Sequence, residues 1–303
     1  MSVPASVTVA LLTPVDERGG TDKAGLERLV ASVLAAGVTG ISPLGSTGEG
    51  FSLSLPQRLE VVETVVGTAA PGIPVVPGVF AHNPDLALAE IAAYQAAGAS
   101  AALVAPPSYY PLAPAEQEEF FTRVAQASPL PVVLYNIPTY TKVSIAPAVV
   151  ATLAASEQVV GIKDSSRDFS YFLSVLDAVN DAGVPREAFT VLTGTDSMLL
   201  SCLAAGGGGT ICASANVVPE LSVGICAAFA AADLERARGL ERRLRRVLDL
   251  CRAGSPPAGI KAAAAAVGLC RPTMVSPRAG LSVAEVARLG SRLAELGVTP
   301  ASF

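Results

Sequence analysis

Short β-branched runs alternate with longer Ala- and Leu-rich stretches between about Val7 and Ile211. The runs at 8–12, 40–43, 74–78, 101–105, 132–135, 159–163, 190–193 and 209–212 are brief, nearly all apolar and bounded by turn residues, so they read as buried strands. Between them, 22–36, 55–70, 84–97, 114–127, 145–155, 168–182 and 197–205 carry apolar residues at helical spacing, with Asp22, Asn83, Pro84 and Pro114 as start signals. Such alternation predicts βαβ units around a parallel sheet, and eight strands predict an α/β fold closed into a (β/α)8 TIM barrel. Beyond the eighth strand, 218–231, 233–252, 257–268 and 282–295 are helical with no strand between them. The expected organisation is a barrel over 1–217 and a C-terminal helical extension over 218–303 packed on it, with no linker composition between the two.

Composition narrows the partners. Hydrophobic residues make up 51% and charged residues 16% of the 303, enough apolar area for a large core. The positive mean hydropathy comes from dispersed Ala and Val, and no apolar stretch reaches the roughly 18 residues of a spanning helix, so no membrane is expected. A net charge of -5 argues against a nucleic-acid surface. Arg242-Arg243 and Arg245-Arg246 stand among Glu235, Glu241 and Asp249 and read as a solvated helix face. Met1-Ser2-Val3-Pro4 lacks a basic segment leading into an apolar one, so a cytoplasmic location is expected. Five cysteines in Ala-rich surroundings read as small buried residues. The single histidine, His82, has no clustered partners, so no metal is expected; no other cofactor is expected either. Gly206-Gly207-Gly208-Gly209 precedes the eighth strand, so it reads as close packing and not as a phosphate loop.

A parallel barrel carries its site at the C-terminal ends of its strands. Lys163 ends the apolar run Val159-Val160-Gly161-Ile162 and is followed by Asp164-Ser165-Ser166. Desolvation there disfavours the ammonium and leaves an amine able to attack a carbonyl; the alternative is a lysine that extends its charge into solvent. After the second strand, Gly45-Ser46-Thr47-Gly48-Glu49 offers two hydroxyls and several backbone N–H groups, a cradle for a carboxylate. Ser108-Tyr109-Tyr110-Pro111 and Tyr135-Asn136-Ile137-Pro138 add phenols. With no histidine at hand, a Tyr–Ser–Tyr chain is a route for protons.

Together with Gly194-Thr195-Asp196, these motifs resemble the dihydrodipicolinate synthase / N-acetylneuraminate lyase family, in order, in approximate spacing and across essentially the whole chain. The resemblance implies pyruvate-dependent class I aldolases and related lyases on a (β/α)8 barrel with C-terminal helices, assembled as a homotetramer or homodimer. It implies that Lys163 forms the Schiff base with C2 of pyruvate or another 2-oxo acid, that Tyr135 is the acid/base, and that Ser46 relays protons where the synthases usually carry Thr. Tyr110 resembles the tyrosine that completes the relay from a neighbouring subunit. Thr47 resembles the carboxylate-binding partner of Ser46, and Ile211 the residue whose carbonyl lies near the pyruvate-derived part of the ligand.

Two departures bear on the second substrate. The synthases place an arginine two residues after the Tyr-Asn-x-Pro motif, and here that residue is Tyr140, which cannot form a bidentate ion pair. The sialic acid lyases place an acidic pair where Gly194-Thr195-Asp196-Ser197 has one carboxylate. Tyr140, Ser165, Gly194 and Asp196 are therefore the expected substrate-binding residues for an aldehyde rich in hydroxyls. The first expectation is a 2-keto-3-deoxy sugar acid or 4-hydroxy-2-oxo acid aldolase acting on pyruvate and an aldehyde. The alternatives are dihydrodipicolinate synthase itself, with Tyr140 or Arg167 doing the arginine's work, a dehydratase, and a non-catalytic pyruvate-binding barrel.

Overall fold

The computed structural model describes residues 6–299; Met1 to Pro4, on which the expectation about a leader rests, lie outside the described residues. Eight parallel strands form the inner wall: β1 (Ser6–Ala10), β2 (Gly40–Ser42), β3 (Gly78–Val79), β4 (Ala102–Val104), β5 (Val132–Asn136), β6 (Val159–Asp164), β7 (Thr190–Thr193) and β8 (Gly209–Cys212). They follow the order β2-β1-β8-β7-β6-β5-β4-β3, and residues 74–78 close the ring by hydrogen-bonding to β2 and the residue after it. The fold is a (β/α)8 barrel.

Two strands differ from their apolar runs by more than one residue at an end. β1 lies two residues earlier than 8–12: Ser6 and Val7 already pair with β8, and the Leu12 N–H leaves the ladder and donates to Asn216 Oδ1 at 2.9 Å. β3 is shorter and later than 74–78. Pro74 and Pro77 carry no N–H, so only Val76 and Gly78 donate across that seam, to Ile41 O at 2.8 Å and Pro43 O at 3.0 Å.

The helices are α1 (Lys23–Ala35), α2 (Leu55–Thr68), α3 (Pro84–Ala96), α4 (Pro114–Ala127), α5 (Pro138–Thr141), α6 (Pro147–Ala154), α7 (Phe169–Asp181), α8 (Leu199–Ala204), α9 (Pro219–Ala230), α10 (Leu234–Leu250), α11 (Ala258–Ala266) and α12 (Val283–Glu295). Their starts have local causes. Asp22, Asn83, Asp168, Asp233 and Ser282 accept N–H groups of the first turn, and Pro opens α3, α4, α6 and α9. α5 is a single turn of four residues, too short for any periodicity to reveal. α9 stands directly after β8 and completes the eighth βα unit, and α10, α11 and α12 follow it. Among the described residues no helix is long and apolar enough to cross a membrane.

Two apolar layers position the site. Val133, Tyr135, Ile137, Leu103 and Ile211 fill the barrel interior, and a larger layer lies between strands and helices. Cys202, Cys212 and Cys226 are buried, whereas Cys251 and Cys270 are only half-buried, at the end of α10 and in the turn after α11. Burial pushes all five thiols up to about 12, so none is a ready nucleophile. Glu241, expected among surface charges, is buried and accepts the Leu200 N–H at 3.1 Å. The glycine run opens β8, where a Cβ on Gly209 would stand 2.7 Å from the Ser6 nitrogen.

One ion pair ties the C-terminal helices to the barrel. Lys261 of α11, fully buried, donates to Glu49 Oε1 at 2.7 Å, and Glu49 Oε2 accepts the Val275 N–H at 2.9 Å. Breaking a buried pair strands one charge in a medium that cannot solvate it, so Lys261→Met is expected to cost about 3–5 kcal/mol in denaturant unfolding. Adding Glu49→Gln, which keeps an acceptor for Val275 while removing the charge, restores part of that loss. A Lys261→Met protein as stable as the parent would show that the pair holds nothing together.

Candidate active site

β5 and β6 pair in register, Tyr135 opposite Lys163 and Asn136 opposite Asp164. Alternation along a strand then sends the two pairs to opposite faces. Tyr135 and Lys163 belong to the barrel interior; Asn136 and Asp164 bond to each other on the other side.

Lys163 is 4% exposed, and its Nζ lies 3.4 Å from Tyr135 Oη and 4.4 Å from the centre of that ring. Among the described residues no carboxylate forms an ion pair with it. Tyr135 Oη in turn lies 3.0 Å from Ser46 Oγ. A buried amine, a phenol and a hydroxyl thus form one chain. Gly194 is the neighbour that permits it, since a Cβ there would stand 2.8 Å from Lys163 Cε and collide with Ser165 Oγ.

The turn that carries Ser46 and Thr47 has a strained backbone. Leu44 and Glu49 both adopt left-handed φ, 61° and 54°, and neither is glycine. Gly48 is required, because a Cβ would meet Leu11 O at 2.7 Å. The strain is held by buried bonds: Thr13 Oγ1 donates to Gly48 O at 2.7 Å, and the Lys261–Glu49–Val275 contacts fix the far end. Ser46 and Thr47 are half-buried, and among the described residues their backbone N–H groups have no acceptor. Free N–H groups beside two hydroxyls suit a carboxylate.

Behind Lys163, Asp164 is a buried carboxylate with three donors: Asn136 Nδ2 at 2.8 Å, the Ser166 N–H at 3.0 Å and Ser166 Oγ at 2.9 Å. Burial raises its pKa above 3.8 in spite of those bonds. Asn136, fully buried, also accepts the Ile145 N–H at 3.0 Å, and Tyr171 Oη donates to Ile145 O at 2.7 Å. This polar layer fixes the ends of β5 and β6, and so the spacing of Tyr135 and Lys163.

The chain opens into a cavity of about 240 Å³, whose lining includes Ser46, Phe80, Ser108, Tyr140, Thr141 and Arg278. Phe80 meets Tyr135 edge to face at 6.3 Å. Tyr140, on α5, is 44% exposed. Ile211 lies buried in the barrel interior with Tyr135. Ser165 and Asp196 are not among the lining residues: the Ser165 N–H donates to Asn136 O at 2.8 Å, and Asp196 Oδ1 accepts the Ser214 N–H at 2.7 Å. Tyr110 is 73% exposed, packs edge to face on Tyr109 at 4.9 Å, and has no hydrogen bond to Ser46 of its own chain. Arg167 is exposed at the start of the loop into α7 and does not line the cavity.

Sequence reasoning passed over Lys261, the Asn136–Asp164 bond and Arg278. For Lys261 a signal existed, because a lone charge inside the run Ala258-Gly259-Ile260-Lys261-Ala262-Ala263 has no polar face to occupy and needs a buried partner.

The sequence profile of the Dihydrodipicolinate synthetase family matches residues 4–295. A 4-hydroxy-tetrahydrodipicolinate synthase of Hyphomonas neptunium is 37% identical over 289 residues, covering 95% of this chain and 97% of that protein. Among solved structures, dihydrodipicolinate synthase from Thermotoga maritima superposes with a TM-score of 0.92 at 28% identity, covering 98% of this chain and 100% of that one. A prophage protein of the dihydrodipicolinic acid synthase family from E. coli K12, in complex with pyruvate, gives 0.91 at 29% identity over 98% and 100% of the two chains.

The polar layer makes a prediction with a sign. With its pKa raised in the folded state, Asp164 binds a proton more tightly folded than unfolded, so its ionisation lowers stability as pH climbs from 3.8 through the raised value and has no further effect above it. Asp164→Asn removes this titration and keeps both bonds to Oδ1, with Ser166 Oγ accepting from the new amide where it had donated, so melting temperatures should show the variant gaining on the parent as pH rises through that window. Asp164→Ala instead leaves the buried Asn136 amide without its acceptor and costs about 1–3 kcal/mol. A pH-independent difference between Asp164→Asn and parent would refute the assignment.

Proposed function

Because this chain belongs to the dihydrodipicolinate synthetase family, whose members are pyruvate-dependent class I lyases, we propose that it joins pyruvate to an aldehyde bearing a carboxylate, as 4-hydroxy-tetrahydrodipicolinate synthases do with aspartate semialdehyde. The observation that carries this reading is the chain Lys163 Nζ, Tyr135 Oη, Ser46 Oγ, with separations of 3.4 and 3.0 Å, whose Ser46 end lines the cavity.

The Lys163 amine adds to C2 of pyruvate, whose carboxylate rests on the Ser46 and Thr47 N–H groups and the Thr47 hydroxyl. Tyr135 protonates the carbinolamine oxygen, which leaves as water and yields the iminium. The Tyr135 phenolate left by that transfer takes a C3 proton and gives the enamine. C3 then attacks the aldehyde carbon, and the aldehyde oxygen takes a proton delivered through Tyr135 and Ser46. Water returns to C2 and frees the lysine. Tyr110, exposed on its own chain, extends the relay in a neighbouring copy, so the working form is a homodimer or homotetramer. Ile211 and Gly194 line the pyruvyl side by their position beside Tyr135 and Lys163.

The name and extent of the Hyphomonas relative favour the synthase reading over the sugar-acid aldolase that the hydroxyl-rich segment first pointed to. One observation favours the second reading: Tyr140, with Ser108 and Thr141, faces the cavity where the synthases place an arginine.

Borohydride reduction with pyruvate is expected to add a stable pyruvyl mass to Lys163, read by peptide mass spectrometry, and none in Lys163→Ala. Tyr135→Phe forms the adduct more slowly, by about 10²-fold or more. An unmodified Lys163 would sink the mechanism. Turnover of pyruvate with aspartate semialdehyde above about 1 per second supports the synthase; an adduct without that turnover, together with cleavage of 2-keto-3-deoxy acids, supports the second reading.

A further inference from the structure

The cavity in front of the proton relay carries a charge that the expected binding residues do not supply. Two of its lining residues carry full charges, Glu49 and Arg278. Glu49 is neutralised from behind by Lys261 at 2.7 Å, so a molecule entering the cavity meets one unbalanced charge, the guanidinium of Arg278.

That guanidinium has a defined mount. Arg278 follows α11 on the segment leading to α12, and its own N–H donates to Val275 O at 3.1 Å, closing a turn. Val275 is buried, and its N–H is the one that Glu49 Oε2 accepts at 2.9 Å. One Arg278 Nη1–H donates to Pro256 O, which tethers the head group. Among the described residues the Nη2 and Nε groups have no acceptor. They remain available as a planar donor fork of the kind that matches a carboxylate. Glu49 therefore indexes both ends of the cavity: through the strained turn it fixes Ser46 and Thr47, and through Val275 it fixes the base of Arg278.

We propose that Arg278, contributed by the C-terminal helical segment, binds the carboxylate of the aldehyde substrate and selects acidic aldehydes over neutral ones. It does the work for which Tyr140 lacks a charge. The inference rests on the Schiff-base reading above, and its test is separable from that reading.

The pyruvyl adduct on Lys163 is first reduced with borohydride, so that the pyruvate end is filled. Butanoate, an unreactive carboxylate, is then titrated calorimetrically into the reduced protein and into its Arg278→Ala and Arg278→Lys variants, with butanamide as the uncharged control. Butanoate is expected to bind Arg278→Ala about tenfold more weakly than the parent, Arg278→Lys in between, and butanamide equally in all three. The parent's preference for butanoate falls as salt is raised, whereas that of Arg278→Ala is flat. In steady state, KM for aspartate semialdehyde rises in Arg278→Ala while KM for pyruvate and adduct formation stay as in the parent. Equal butanoate affinity in parent and Arg278→Ala would overturn the proposal even with the adduct formed. Failure of the adduct itself condemns the Schiff-base reading, and the same titration on unreduced protein still decides Arg278 by the difference between the variants.

Discussion

The contact between Glu49 and Lys261 is the constraint on which the rest of the site depends. Both side chains are withdrawn from water, Lys261 entirely, so the pair gains its Coulomb energy only where it also suffers most from desolvation. What makes it tolerable is the third partner, the Val275 N–H, which satisfies the second carboxylate oxygen. The pair holds a turn that would not otherwise keep its shape, since Leu44 and Glu49 each sit in a backbone region costing about 1–3 kcal/mol for a residue with a side chain. Ser46 and Thr47 lie between those two strained residues. The orientation of Ser46 toward Tyr135 is thus a property of α11 as much as of β2.

A second constraint works from the opposite face of the sheet. Asn136 and Asp164 hold β5 and β6 in register with a bond outside the barrel, and the same register sets Tyr135 beside Lys163 inside it. Gly194, one strand further round, leaves the lysine its room. The Lys163–Tyr135–Ser46 chain is therefore positioned by residues that are not themselves part of it, a common division of labour where geometry has to be kept to a fraction of an ångström.

Much of this was legible in the chain because the physics is local. Buried parallel strands need unbroken apolar runs, and helices need caps, so Asp22, Asn83 and the opening prolines marked their elements. Lys163 and Tyr135 were legible because each stands at the C-terminal end of a strand, and Ser46 because it lies in the turn that follows one. The unread parts are those where partners are distant or the signal is absent. Pro74 and Pro77 gave an apolar run that could not carry a full ladder. Lys261 and Glu49 are 212 residues apart, and no spacing rule joins them. Asp196 looked like a ligand for hydroxyls because it follows β7, yet its carboxylate is engaged by the Ser214 N–H, a backbone demand that sequence does not display. Arg278 stood in an irregular turn with no periodicity to single it out.

The short helix α5 has a consequence for how such a protein changes over time. Lys163 and Tyr135 are packed into the barrel interior, where nearly every substitution disturbs a core. Tyr140 rides on the exposed side of a four-residue helix, nearly half open to solvent, so replacing it disturbs less packing. A change at Tyr140 therefore reshapes the cavity wall at less risk to folding than a change at Lys163 or Tyr135, so that part of the wall is free to vary while the barrel interior stays fixed.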